Sequence, residues 1–365
     1  MRILYYCDNN GTLMHMWQVY HIINELAQYG IIIEQFNPLE FSSLENANNQ
    51  LLNRIKCDDI DLFMTPLNES RLFLSTLREI KSRAIPSLLI CFDNLVIPYY
   101  HRNIAQYFDL VWLTSCETRS MFESWGARTI FLPYAANPFF LKPSDKVDNG
   151  RICFIGTPYG SRINTINTLT KSSIGIDLYS GLKDSSEVRK FAENKFNYIK
   201  PFLNLVKFSY GRTVVRGALK QVLSKSELLN SKFVNYNPPV PLSDISRLYS
   251  KYSLSISSTT ARNTGVLKKP LPIVNLRSFE IPMSGGLQIC KYNSELAGYF
   301  EEDKEIVFYR NDREFVEKVR FYLADEQREL RLKMKKSARL RAIKDHSWKS
   351  RFDRVFSVLG LDQFL

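Results

Sequence analysis

Glu280 stands in the stretch RSFEIPMSGG (277–286), three residues after Arg277 and five before a Gly pair. An ionised Glu offers only acceptors, and its two oxygens can take both hydroxyls of a vicinal diol such as ribose. Ser278 is placed to cap a helix start, because its hydroxyl can accept from first-turn amides. That would set Glu280 at the second helical position, with Pro282 still in the opening turn. A helix start presents free N–H groups and partial positive charge, which suits phosphate. The small residues Ser284, Gly285 and Gly286 would let a backbone come close. The stretch reads as a nucleotide clamp, with diphosphate at the helix start and ribose on Glu280. The competing reading has Glu280 complementing the helix dipole and pairing with Arg277.

Other candidates fall early in the chain. Gly11, in the loop Asp8-Asn9-Asn10-Gly11, would let the backbone approach a donor; a polar Asn-Gly turn is the alternative. Asp93 follows the run SLLICF and could be a base or orient an acceptor, or form an Asx turn. His15 opens a helix near the same edge, and His101 lies in a loop on that side, whereas His21 and His346 read as structural. No His/Asp/Glu cluster has metal-ligand spacing, so no metal is expected. Basic side chains and a helix dipole can neutralise a leaving diphosphate instead. The six cysteines make no C-x-x-C pair and read as free thiols of a reducing cytoplasm. No G-x-G-x-x-G follows a strand, which argues against a nicotinamide-dependent dehydrogenase.

The elements that would position these residues alternate. RILYYC, IIIEQF, IDLFMT, SLLICF, LVWLT and ARTIFLP are short apolar runs separated mostly by helical patterns, the first of them over 14–29 and ending at Gly30. Such alternation predicts a parallel sheet wrapped on both faces, with ligands at the carboxyl ends of its strands. The loops after Cys7, Thr65, Cys91 and Thr114 then form the working edge. Pro, Asp, Asn and Gly cluster at 138–151, and the pattern restarts with RICFIG, a helix over 161–171, IGIDLYSG, YSLSIS, LQIC, EIVFYR and a helix from 312. The expected architecture is α/β, with two Rossmann-like doubly wound domains over 1–147 and 148–345 and a last helix over 346–365. The chain has 365 residues, 45% hydrophobic and 24% charged, an ordinary globular composition.

A net charge of +12 points to acidic partners. The segment 195–237 fits the alternation poorly; Lys195, Lys200, Lys207, Arg212, Arg216, Lys220, Lys225 and Lys232 face one acid, Glu227. It reads as an insertion with a basic amphipathic helix near 213–229, either a solvated face or a peripheral contact with an anionic membrane. The basic end of the chain carries Leu330, Met334, Ala338, Leu340 and Ile343 as a core stripe, so a packed helix is expected there and nucleic acid is not an expected partner. No run reaches the length of a membrane span and no signal peptide opens the chain, so a cytoplasmic protein, at most peripheral on the inner membrane face, is expected.

Several stretches together resemble the CgeB-like bacterial glycosyltransferases, which are similar to the large retaining family of the GT-B fold. They are NLRSFEIPMSGGLQIC, YFEEDKEIVFYRNDREFVEKVRFYLAD and HSWKSRF, with FIGTPYGSR at 154–162 and DLVWLTSCETRSMFESWGARTIFLPYAANP at 109–138. The shared positions are Arg277, Phe279, Glu280, Gly285, Gly286, Glu305, Ile306, Tyr309, His346 and Arg351. The resemblance spans most of the chain and is weakest over 179–240. It implies two domains facing each other across a cleft, and transfer from a nucleotide-diphosphate sugar to a glycan, lipid-linked or protein acceptor. That transfer would be retaining and metal-independent, with no cofactor beyond the sugar nucleotide. It implies donor ribose on Glu280 and diphosphate held by Arg162, then Arg277, with Lys268 and Lys269 behind them; Ser278, Phe279, Gly156, Gly11 and Gly285 complete the expected donor site, and Asp93 and His15 the catalytic side. The retaining family carries a second Glu eight positions before the first, where this chain has Pro272. That departure keeps a non-catalytic structural or surface-assembly role as the alternative, and nucleic-acid binding through the basic segments 195–237 and 328–354 is a second, lesser rival.

Overall fold

A computed structural model of the chain describes residues 1–56, 59–145, 148–181, 206, 208–223, 231–261 and 264–364. The chain divides into two compact units, Met1–Phe140 with His346–Leu365, and Leu141–Asp345.

In the first unit the apolar runs become strands. In chain order the elements are β1 (Arg2–Tyr6), α1 (Leu13–Gln18), a π turn at Val19–Ile23 leading into α2 (Asn24–Ala27), β2 (Ile32–Phe36), α3 (Leu44–Ile55), β3 (Leu62–Thr65), α4 (Leu74–Ser82), β4 (Ser87–Cys91), β5 (Leu110–Leu113), α5 (Arg119–Ser124) and β6 (Thr129–Phe131). All strand pairs are parallel, in the order β2-β1-β3-β4-β5-β6, with Ile3 opposite Leu62 and Met64 opposite Leu88. Every residue of β3, β4 and β5 is buried, which explains why they read as unbroken apolar runs rather than alternating ones. The order reverses between β1 and β3, and that is where a doubly wound sheet leaves a crevice outside its carboxyl edge.

The second unit holds β7 (Ile152–Ile155), α6 (Ser161–Lys171), β8 (Ile176–Tyr179), α7 (Ser209–Leu223), β9 (Val234–Asn237), α8 (Ile245–Lys251), β10 (Leu254–Ile256), α9 (Arg277–Met283), β11 (Gln288–Lys291), α10 (Ser294–Ala297), β12 (Val307–Tyr309), α11 (Asp312–Leu323) and α12 (Arg328–Asp345). Its parallel sheet runs β12-β11-β10-β7-β8-β9, with the switch between β7 and β10. Alternate residues of β7 serve opposite faces. Ile152 and Phe154 pack with Ile163, Ile166 and Leu169 of α6 and Phe315 of α11, whereas Cys153 and Ile155 meet Leu248 and Tyr249 of α8 and Ile281 of α9. The last helix, α13 (Trp348–Leu359), packs in the first unit. Trp348 and Phe352 lie against Trp112 of β5, and the Arg351 guanidinium donates to the carbonyl of Pro133 and to His346 Nδ1.

Several expectations change. The basic stretch 195–237 ends in a strand: β9 pairs along its whole length with β8, from Val234 opposite Ile176 to Asn237 opposite Tyr179. Its sequence, VNYN, is too short and polar to signal an edge strand. The expected helix is present over 209–223; Lys195, Lys200, Lys207 and Lys225 lie outside the described residues. In α12, Met334 and Ala338 are buried as expected, but Leu340 and Ile343 are exposed, and Arg331, Lys335 and Ala342 take the core positions. Two cations displace apolar residues there because both find internal partners. Arg331 pairs with Asp148 at 2.8 Å, and Lys335 donates to the carbonyls of Ser250 and Tyr252.

Candidate active site

Residues after β1, β3 and β4 meet in a cavity of about 240 Å³ at the carboxyl edge of the first sheet. Cys7 and Asp8 come from the β1 loop, Pro66 and Leu67 from β3, Phe92 and Asp93 from β4, and Thr12, Met14, His15 and Gln18 from α1. Local chemistry fixes each. Thr12 caps α1, its hydroxyl accepting from the His15 amide. The His15 ring is buried and contacts Gln35 Oε1 through Nε2 at 3.1 Å. Asp8 accepts from Arg71 Nε at 3.2 Å.

Asp93 adopts φ +53°, a left-handed conformation that Asp tolerates better than most residues. Tyr134 clamps it: the phenol accepts from the Asp93 amide at 3.2 Å and donates to Oδ1 at 2.9 Å. The residue is solvent-accessible, but its carboxyl is crowded; desolvation raises it above the usual carboxylate range, and the Tyr134 bond opposes this. His101 also lines the cavity, with Nε2 against the Pro66 carbonyl at 2.9 Å, and burial lowers its ring to about 4. Burial pushes the Cys7 thiol up to about 12, which leaves it inert as a nucleophile at neutral pH. Gly11, at φ +67°, turns the exposed loop between Asn10 and Thr12 and has open space around its Cα.

The second unit gathers Glu280, Arg277 and Gly156. Glu280 and Arg277 lie three residues apart on one face of α9, and Glu280 is 5% exposed. Burial raises its carboxyl to about 7, with the Arg277 charge pulling the other way. Gly156 ends β7 at φ +130°, and a Cβ there would collide with the Arg277 guanidinium, so the glycine is what lets Arg277 lie across the strand end. On the α6 face of the same edge is a second cavity of about 190 Å³, lined by Phe154, Arg162, the hydroxyl run 257–260 and Lys291. Arg162 stacks over Tyr159 with its carbon 4.2 Å from the ring centroid and donates to the Thr157 carbonyl. Glu280 and Arg277, on the opposite face, are outside this lining.

Three donor-side expectations meet a different geometry. Ser278 is not the helix cap: α9 begins at Arg277 after Leu276, and Ser278 is a buried residue inside it, its hydroxyl without a hydrogen-bond partner among the described residues. Phe279 is fully buried against Tyr299 and Phe300, a core role. Gly285 sits at the far end of α9, where the chain enters β11. Its φ of +72° makes the turn at the amino edge of the sheet, opposite the ligand edge. Gly286 there approaches the Tyr249 carbonyl. Lys268 is exposed in the loop before Pro270. Pro272 pairs with Thr260 in an antiparallel bridge. Sequence reasoning missed Tyr134 and Asn94. Asn94 is buried, its Oδ1 accepting from the Thr114 and Ser115 amides, and it ties the β4 loop to the β5 loop. Their one signal was position, each just beyond a strand's carboxyl end.

The model of a family described as glycosyl transferase-like matches residues 212–357, which include Arg277 and Glu280. No curated protein sequence matches the chain. Among solved structures, Anabaena HepE in complex with UDP is similar over 99% of this chain and 100% of its own, with TM-score 0.57 and 11% identity. HepE in complex with UDP-glucose is similar over 99% of each chain (TM-score 0.55, 13% identity). A glycosyltransferase from Rickettsia africae matches over 98% of each chain (0.54, 12%), and sucrose-phosphate synthase from Thermosynechococcus elongatus over 99% of each (0.51, 12%). At such identities the likeness is one of fold: two Rossmann-like units in one chain, as in the GT-B fold.

Proposed function

We propose that this protein is a glycosyltransferase that moves a sugar from a nucleoside-diphosphate sugar to a hydroxyl of an acceptor. The observation that carries the reading is the buried Glu280 beside Arg277 and Gly156 at the carboxyl end of β7. A carboxylate there accepts from both ribose hydroxyls, and Arg277 faces the adjoining diphosphate. The match of this region to a glycosyl transferase-like family supports the assignment. The complexes of the fold neighbour HepE make uridine nucleotides the first donors to test.

In the transfer, the acceptor oxygen bonds to the anomeric carbon as the bond from that carbon to the phosphate oxygen breaks. The nucleotide leaves with the bonding electrons and takes up the acceptor's proton. Asp93 accepts a hydrogen bond from the attacking hydroxyl and orients it, with His15 beside it. Arg277 stabilises the charge on the leaving diphosphate without a metal ion. Retention of configuration follows from the resemblance to the retaining family.

Among the described residues no helix is long and apolar enough to cross a membrane. The exposed cations Arg212, Arg216 and Lys220, spaced along one side of α7, support a peripheral contact with an anionic surface and a cytoplasmic face for the reaction.

The test is turnover. Purified protein releases UDP from one of a panel of UDP-sugars, slowly with water and faster with an acceptor. Asp93→Asn lowers that rate by about a hundredfold while UDP affinity holds. No release from any nucleotide sugar would instead favour a structural, non-catalytic role.

A further inference from the structure

We infer that Arg351 and His346, from the last segment of the chain, are positioning residues for Asp93, acting through the main chain at Pro133 and Tyr134. The coupling is built from hydrogen bonds within the first unit. Its bearing on rate rests on the glycosyltransferase reading of Asp93.

The loop that carries Tyr134 leaves the sheet just after β6. Leu132 still donates its amide to the Leu113 carbonyl of β5 at 3.1 Å. Beyond it the backbone is irregular, so its polar groups must find side chains or other loops. Trp112 Nε1 donates to the Leu132 carbonyl at 2.7 Å. Arg351 meets the next two: Nε donates to the Pro133 carbonyl at 3.1 Å and Nη2 to the Tyr134 carbonyl at 3.3 Å. One planar guanidinium thus spans two successive carbonyls and fixes the direction of the peptide between them as well as its place. The His346 ring orients the guanidinium in turn, Nδ1 accepting from Nη2 at 2.9 Å, and the His346 carbonyl accepts from the Ala136 amide at 3.1 Å. Arg351 is 3% exposed and His346 5%. Filling that space alone calls for a long apolar side chain, because a buried cation is costly even when its donors are met.

Tyr134 depends on this placement because its single hydroxyl serves two atoms of Asp93, the amide at 3.2 Å and Oδ1 at 2.9 Å. Asp93 stands at φ +53°, a conformation its own backbone does not favour. Phe92 stacks on the Tyr134 ring and Trp17 meets it edge-on, with centroids 6.2 and 6.0 Å away. Such contacts confine the ring without fixing how far its hydroxyl reaches. A shift of 1 Å in the 133–134 peptide, carried to the hydroxyl, takes a 2.9 Å bond out of useful range. The pathway joins four positions far apart in sequence: Asp93, Tyr134, His346 and Arg351.

Carbon NMR of protein labelled at the Asp carboxyl carbon reads Asp93 directly, its signal identified by loss in Asp93→Asn. The titratable groups facing Asp93 are Tyr134, which bonds it, and Cys7, Asp8, His15, Tyr100 and His101, which share its cavity, Asp8 being paired with Arg71. Glu25 is the carboxyl that feels the Arg351 charge. Arg351→Lys keeps that charge but reaches one carbonyl rather than two. It moves the Asp93 titration to higher pH, because a looser Tyr134 bond leaves desolvation less opposed. It also lowers kcat about tenfold with the donor KM within about twofold of the parent. In the Tyr134→Phe background the same change moves the titration no further. His346→Leu, which takes an acceptor from the guanidinium, shifts it in the same direction, and His346→Asn, which restores an acceptor oxygen near Nδ1, returns it to the parent position. The inference is overturned if Tyr134→Phe or Arg351→Lys leaves the Asp93 titration in place, if the two shifts add in the double variant, or if His346→Asn does no better than His346→Leu. Where Arg351→Lys loses cooperative unfolding, the His346 pair decides. A shifted titration with unchanged turnover leaves the coupling intact and sinks the assignment of Asp93 to the reaction.

Discussion

Tyr134 does two things to Asp93: it fixes the side chain in a left-handed loop and it stabilises the ionised carboxyl. Tyr134→Phe removes both. Desolvation then acts unopposed and raises the carboxyl further, so the rise of kcat/KM with pH moves to higher pH, and kcat falls about tenfold. A pH–rate profile of the variant checks the sign; an unmoved limb would detach Asp93 from the reaction. Glu280 gives a second residue-scale expectation. Burial raises its carboxyl to about 7 in the free protein, and the ionised form is the pure acceptor that ribose needs. Uridine, which brings no titrating phosphate, therefore binds more tightly as pH rises from about 6 to 8, and Glu280→Gln flattens that dependence.

At the scale of elements, α12 is held by buried charge rather than by an apolar stripe. Arg331 and Asp148 have side chains each 1% exposed and paired at 2.8 Å. Arg331→Met leaves the Asp148 charge uncompensated and costs about 3–5 kcal/mol, read by urea unfolding. The start of α2 makes the complementary case. Glu25 is buried, accepts from the Lys349 amide at 2.8 Å and is raised by burial to about 8. Its folded value lies above the unfolded one, so the folded state holds the extra proton, and stability falls as pH rises from about 4.5 to about 8. Glu25→Gln reduces that fall in Tm, though Glu280 keeps a slope of the same sign. These buried ions show why the sequence was readable for strands and less so for helix faces. RILYY, LFMT and SLLIC are buried on both sides and look it. In α12, long cationic residues reach distant partners, and no local pattern reveals that Arg331 belongs inside and Leu340 outside. Helix α9 was misread at its start for a related reason: Ser278 looks like a cap, but the turn before it already supplies helical geometry at Leu276.

At the scale of the molecule, each sheet reverses its strand order once, and the candidate residues cluster near those reversals: Asp8, His15 and Asp93 in the first unit, Gly156, Arg277 and Glu280 in the second. The grouping of residues far apart in sequence was legible because alternating strands and helices predict a common carboxyl edge. Which side chains support them was not: Tyr134 and Asn94 reach their partners only through the folded loops. The GT-B architecture carries many activities, so the function rests on the site and not on the fold.

The central claim is that Glu280 holds the ribose of a bound nucleotide. Isothermal titration of UDP into the parent chain and Glu280→Ala tests it directly. The account predicts one saturable site per chain and a loss of roughly tenfold to a hundredfold in the variant, with its thermal unfolding still cooperative. Equal affinity in the two proteins, or no UDP or other nucleotide binding in the parent, would contradict it.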